Sequence, residues 1–242
     1  MVTQIIKGDI PNEIPEEILI KMDAFHNKEV LNAFFGNNWY SFFKKENTNY
    51  FFHTFYPEDF YLEAMKLKFK EINPFLGYSG PLVIGSKQFI SNALLEYINE
   101  IRKIGVIAEV IRFNPFLRNY EFFSNQKKVR LINTKKIVGI KVNNNESHQI
   151  NQYSKPCQRR LKLGYKNCIF KKINKKNDWK TFKDFLLSSL KNKNADKKFF
   201  MSNTFFNRAK SSEYFEGYGA YFKNKIVSAA LILKGNKNGC IP

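Results

Sequence analysis

The chain has 242 residues, 43% of them hydrophobic and 16% aromatic, which is enough apolar surface for a packed core and excludes a disordered chain. At about 150 residues per domain it makes one large or two small domains. Its formal charge of +19 comes from 33 Lys and 7 Arg beside 28 Asn and 25 Phe, a bias that AT-rich coding sequence produces without a ligand, although clustered cations also bind phosphate by releasing counterions.

In chain order, Trp39–Phe43 and Asn49–Phe55 read as aromatic-rich strands joined through Lys44-Lys45-Glu46-Asn47. Pro57-Glu58-Asp59 reads as the first turn of a short helix, and Asn73–Pro81, with two glycines and two prolines, as a shaped loop. Ser86 is an N-cap for a helix carrying Phe89, Ile90, Ala93, Leu94, Tyr97, Ile98 and Ile101 at helical spacing and stopped by Gly105. Val106–Phe113 is then a central strand, with Val106, Ala108 and Val110 on one face and Ile107, Glu109 and Ile111 on the other. Val129–Asn133 and Ile137–Val142 read as a hairpin, and Asn143–Asn145 as a linker, so the domains expected are 1–143 and 144–242. Beyond the linker we expect a basic helix over Lys155–Lys166 closed by Gly164, a strand over Cys168–Ile173, helices over Asp178–Leu190 and Asn203–Lys210, and a hairpin of Tyr214–Phe222 and Ile226–Leu233. The fold class is α/β.

Charge is uneven along the chain: residues 1–144 carry net +4 and residues 145–242 net +15, an asymmetry that can mark a face for a phosphate-bearing donor or a polyanion. Ile226–Leu233, the longest strongly apolar run, is far short of the ~20 residues of a membrane span, and the N-terminus has no secretory pattern, so a cytoplasmic protein is expected. Cys157, Cys168 and Cys240 form no Cys-x-x-Cys pair, and His26, His53 and His148 lack ligand spacing, so no metal is expected.

Within this frame, Gly77, Ser79 and Gly80, set before the Ser86 helix, make either a tight turn or a loop whose backbone N–H groups meet an anion. Glu109 is the one acid inside an apolar run, and is either a proton acceptor for an amine or the partner of Arg102 or Lys103. Arg112 is suited to clamp a phosphate or carboxylate, or to sit solvated at a strand end, and Tyr78 and Ser79 either donate to an oxyanion or fill the turn. Arg159 and Arg160 on the basic helix either reach a phosphorylated partner or form a solvated face.

Several segments together resemble a known family: Gly77-Tyr78-Ser79-Gly80-Pro81-Leu82; Ile111-Arg112-Phe113-Asn114-Pro115-Phe116-Leu117; Tyr153 with Arg159-Arg160-Leu161-Lys162; and Lys191–Ala195 followed by Phe199-Phe200. In this order they are similar to FemAB-like N-acyltransferases of the acyl-CoA N-acyltransferase (GNAT) superfamily, over roughly residues 30 to 233. The resemblance implies tandem GNAT-like domains, the second expected to be incomplete before its donor-binding half, with activity lost if so. It implies transfer of an acyl group or amino acid, from acyl-CoA or aminoacyl-tRNA, to an amino sugar or a lipid-linked peptidoglycan or surface-polysaccharide precursor. Glu109 and Tyr78 would be catalytic, Gly77, Ser79, Gly80, Arg112 and Asn114 would bind substrate, and Arg159 and Arg160 would hold anionic groups of the donor. Ser189-Leu190 departs from the family, which usually has Thr-Met there. A non-catalytic basic RNA-binding protein is the rival reading.

Overall fold

The computed structural model describes residues 2–63, 66–74, 78–134, 136, 140, 144–174 and 176–235. The elements are, in order, β1 (Val2–Lys7), α1 (Glu16–Leu19), α2 (Lys28–Phe35), β2 (Tyr40–Glu46), β3 (Asn49–Phe55), β4 (Pro57–Leu62), β5 (Leu67–Ile72), β6 (Leu82–Ile84), α3 (Lys87–Lys103) and β7 (Val106–Glu109). They continue with α4 (Glu146–Asn151), α5 (Lys155–Asn167), β8 (Ile169–Lys172), α6 (Lys176–Asn192), α7 (Asn203–Ala209), β9 (Phe215–Phe222) and β10 (Lys225–Leu233). Two compact units result: Met1–Asn133 with Asn203–Tyr214 and Leu233–Pro242, and Thr134–Ser202 with Phe215–Ile232. Relative to a boundary at 143 and 144, the chain returns to the first unit at α7, because Phe205 packs on Phe34 at 4.8 Å and Ser212 Oγ donates to Glu29 at 2.7 Å.

In the first unit β1, β2, β3 and β6 form an antiparallel sheet in that order. Phe42 and Phe51 join the cluster on one face, Phe43 and Phe52 the cluster on the other. Apolar residues at both parities are what a strand needs when both of its faces are covered. The first face receives the helix α3 stripe of Phe89, Ile90, Ala93, Leu94, Tyr97 and Ile101, with Ser86 Oγ accepting from Phe89 N–H and Gly105 (φ +87) reversing the chain. On the second face Ile18 and Met22 pack against Phe43 and Phe52. Each Phe side chain buried in this way contributes about 1.5–3 kcal/mol.

A second sheet runs β4-β5-β7, with β4 antiparallel and β7 parallel to β5. Pro57 therefore opens an edge strand rather than a helix: it pairs with Ile72 at the first strand position, where a missing N–H costs little. The expected long central strand over Val106–Phe113 is also corrected. β7 ends at Glu109 and lies at the sheet edge, with Ile107 and Val110 exposed. Its partner β5 stops at Ile72, and after one more bond, Val110 N–H to Ile72 C=O at 2.8 Å, Pro74 has no N–H to extend the ladder. Likewise β2 continues through Lys44–Glu46, leaving Asn47 (φ +53) and Thr48 as the turn. Val129–Asn133 forms no strand, and of its expected partner residues 137–139 and 141–142 lie outside the described residues.

The second unit holds the sheet β10-β9-β8 with helices α4 to α6. Lys223 and Asn224, both left-handed (φ +46 and +63), form the two-residue turn into β10. Gly217 lets Ile173 and Phe182 close on β9, since a Cβ there would meet them at 3.2 and 3.3 Å. Gly164 lies inside α5 rather than at its end, because the helix runs on to Asn167 and Phe170 packs within 3.4 Å of where a Cβ would stand. Both units are thus mixed α/β. Among the described residues no helix is long and apolar enough to cross a membrane.

Candidate functional site

Glu109, at the end of β7, is the centre of the best-built polar site in the first unit. Between Lys70 and Glu71 the register of the β5–β7 pair shifts: Lys70 faces Val106 and Glu71 faces Ala108, so Ile107 has no partner. That extra residue reverses the alternation and turns Glu109 to the side of buried Val106, toward α3 and β3. Such irregularities re-aim single side chains. Tyr97 O–H donates to Glu109 Oε2 at 2.9 Å, and His53 Nε2–H donates to Oε1 at 2.8 Å. Both donors are fully enclosed, at 1% exposure each, whereas the Glu109 side chain keeps 11%.

Enclosure, then the charge of Glu109 and the hydrogen bond to it, push the Tyr97 phenol well above its ordinary value, so it stays a donor. His53 reaches this position because β3 alternates: Phe51, His53 and Phe55 share the face that α3 covers, and the imidazole stacks edge-on to Tyr97 at 5.3 Å. Its Nδ1 is buried and has no partner among the described residues. A cleft at the ends of β3, β5 and β7 opens onto this group, lined by Phe25, Phe35, His53, Ser79, Glu109 and Val110 among others. The cavity of about 50 Å³ admits a water or the tip of a substrate, such as an amine, but no whole substrate.

Beside the cleft, a second buried network anchors the loop before β6. His26 Nε2–H donates to Gly80 C=O at 2.9 Å and Nδ1 lies 2.8 Å from Asp23 Oδ1. Burial alone would push the His26 imidazolium down, but the charge and hydrogen bond of Asp23 and the Gly80 carbonyl outweigh it and raise its pKa. Asn114 Nδ2–H donates to Asp23 Oδ2 at 3.2 Å, Asn119 Nδ2–H to Pro81 C=O at 3.3 Å, and Ser79 N–H to Arg112 C=O at 2.8 Å. The loop therefore lies against the segment that follows β7, where Ser79 and Phe113 form an isolated bridge.

Of the residues singled out in the sequence, Glu109 and Ser79 line the same cleft. Gly80 and Asn114 are buried in the loop-anchoring network, Tyr78 is half-buried, and Arg112 is exposed. Arg159 and Arg160 are exposed on α5 of the second unit, and Gly77 lies outside the described residues. His53, Tyr97, Asp23 and His26 are additions. His53 carried a readable signal, since an imidazole facing inward between Phe51 and Phe55 needs a buried partner, and Glu109 in an apolar run needs donors. Among the described residues no group of His, Cys, Asp and Glu could hold a metal ion. No protein-family model and no curated protein matches the chain.

Proposed function

We propose that the chain is an N-acyl or aminoacyl transferase with two FemAB-like, GNAT-type domains, acting on an amino sugar or a cell-envelope precursor. The observation that carries this reading is the Glu109 carboxylate, held through both oxygens by Tyr97 and His53 and opening onto a cleft wide enough for an amine. The ordered segments from Gly77 to Phe200 that resemble the family add to it. In the reaction the substrate amine attacks the thioester or ester carbonyl of acyl-CoA or charged tRNA, the C–N bond forms as the C–S or C–O bond breaks, Glu109 takes the amine proton, and the departing CoA thiolate or tRNA ribose oxygen leaves as the thiol or hydroxyl after taking a proton from water. His53 and Tyr97 act as positioning residues for that carboxylate, and the Ser79 side chain, on the cleft wall, is the hydroxyl we assign to the developing oxyanion.

The test is transfer from several acyl thioesters and charged tRNAs to amino sugars and lipid-linked muropeptides, with wild type and Glu109→Gln compared. Loss of about 10²–10⁴ in kcat on substitution is expected, the share of a general base. Turnover unchanged by Glu109→Gln would overturn the assigned role, and no transfer from any donor by the folded protein would overturn the reaction class.

A further inference from the structure

The first sheet ends on a strand edge that the transfer reaction leaves unexplained. Among the described strands β1 pairs with β2 alone. Gly8 N–H donates to Trp39 C=O at 2.8 Å, one step beyond the Lys7–Tyr40 pair, so every second residue before it, Ile6, Gln4 and Val2, exchanges its hydrogen bonds with β2. Thr3, Ile5 and Lys7 therefore turn their N–H and C=O groups to the open side. Sheet edges are commonly blunted by proline, charge or shortness. Here β4 carries Pro57, Glu58 and Asp59, β8 carries Lys171 and Lys172, and β6 and β7 have three and four residues. Val2–Ile6 has no charge, proline or glycine, and of the other described edges only β10 is as bare. What sets β1 apart is a cavity of about 430 Å³ beside it, lined by Val2, Gln4, Ile6 and Phe43 and by the loop from Asp9 to Glu13. No described residue beyond β1 closes that cavity, and Val2 is 42% exposed.

We propose that two copies of the chain pair through β1, antiparallel about a twofold axis at Gln4, joining their four-stranded sheets into one. Such an isologous contact has to match itself. With the axis at Gln4, Thr3 exchanges both backbone bonds with Ile5 of the second copy, Val2 stands against Ile6 of the second copy, and Gln4 meets its own counterpart. An axis at Thr3 or Ile5 would set the Gln4 amide against apolar Val2 or Ile6, and register follows the side-chain pattern. The charges agree as well. Each cross-strand row runs from Lys45 through Val2 to Ile6 and Ser41 of the second copy, and Ser41 Oγ donates to the Asp9 C=O at 2.7 Å. Lys45 of one copy thus faces the Asp9 end of the other along a row of three strand spacings, about 14 Å. Asp9 is shared with Lys28 at 2.8 Å, and Glu13 adds a second acid to the same loop. The loop of the second copy supplies the wall that each cavity lacks.

Sedimentation equilibrium on the full chain, from about 1 mM down to about 1 μM, reads the mass in solution. Wild type passes from two chains to one on dilution, as a small interface should. Thr3→Pro removes an N–H that faces the open edge and none that β2 uses, so it keeps the wild-type circular dichroism and weakens the dimer about tenfold or more. Gln4→Glu and Gln4→Lys, at an exposed position, each weaken it about two- to fivefold by setting like charges on the axis, and an equimolar mixture of the two recovers it. If Thr3→Pro does not fold, the Gln4 pair decides alone. Ala230→Glu, at an exposed residue of the β10 edge, leaves the dimer unchanged. A monomer at every concentration, a dimer indifferent to a folded Thr3→Pro, a mixture no tighter than its separate components, or dissociation by Ala230→Glu would each overturn the proposal.

Discussion

Replacing Gly80 by Ala tests the architecture of the cleft loop more sharply than removing any charge. Gly80 has φ +108, and an added Cβ would stand 2.8 Å from Phe113 Cδ1 and 3.0 Å from Ile111 Cγ2. Backbone strain at such a φ is worth about 1–3 kcal/mol, and forcing a methyl into packed side chains about 1–3 kcal/mol more. Together they remove about 2–6 kcal/mol from a stability that is typically about 5–15 kcal/mol. Gly105 supplies the control, since its φ is +87 but nothing stands within 4 Å of its Cβ position. Gly105→Ala therefore carries the strain alone, and the difference between the two variants, about 1–3 kcal/mol, isolates the contact with Phe113 and Ile111. Urea unfolding followed by circular dichroism measures both, and Gly80→Ala combined with Phe113→Leu should recover part of the loss as a coupling of about 0.5–3 kcal/mol. Equal losses at Gly80 and Gly105, or no recovery in the double variant, would refute the steric reasoning.

Tyr97→Phe leaves Glu109 Oε2 without its buried donor, and should cost about 1–3 kcal/mol in urea midpoint measurements; a neutral result would mean that the bond is not formed. His26 has a raised folded pKa, so its contribution is fully present below the unfolded value of about 6.5 and is lost as pH rises through the folded value. Wild type should lose stability over that interval and His26→Gln should lose that slope, while a slope retained in the variant would place its origin elsewhere. In Glu96, burial is the largest influence and acts to raise the carboxyl pKa, but hydrogen bonding, chiefly from Lys44, and the charges of Lys44 and Lys103 together outweigh it, so its contribution is present above about 4.5 and lost as pH falls through the lower folded value. Glu96→Gln strands the Lys44 ammonium, only 4% exposed, at a cost of about 2–4 kcal/mol, less than for a fully buried pair because Glu96 is partly solvated, whereas joint replacement by Met and Leu should be close to neutral or stabilising in thermal melts.

Local signals were enough wherever one short segment contains its own reason. The helix over Lys87–Lys103 is written in its apolar spacing, the Ser86 cap and the closing glycine, and the β9–β10 turn in the pair Lys223-Asn224 flanked by apolar runs. Glu109 stood out as an acid among apolar neighbours because burying a carboxylate demands donors, whatever supplies them. Which donors these are was decided only by tertiary structure. Tyr97 lies 12 residues from Glu109 along the chain and His53 56, and they meet because β3 and α3 pack face to face while a one-residue register shift against β5 turns Glu109 inward. The same shift defeated the simple alternation that places Glu109 on the face opposite Val106. Pro57-Glu58-Asp59 carries a helix-start signature, yet pairing with Leu67–Ile72 makes it a strand, and Val106–Phe113 looks central until its partner stops at Ile72 and Pro74. Helix periodicity and turn chemistry are properties of consecutive residues, but register, sheet edges and buried hydrogen-bond partners are set by segments distant in sequence whose pairing no local pattern encodes.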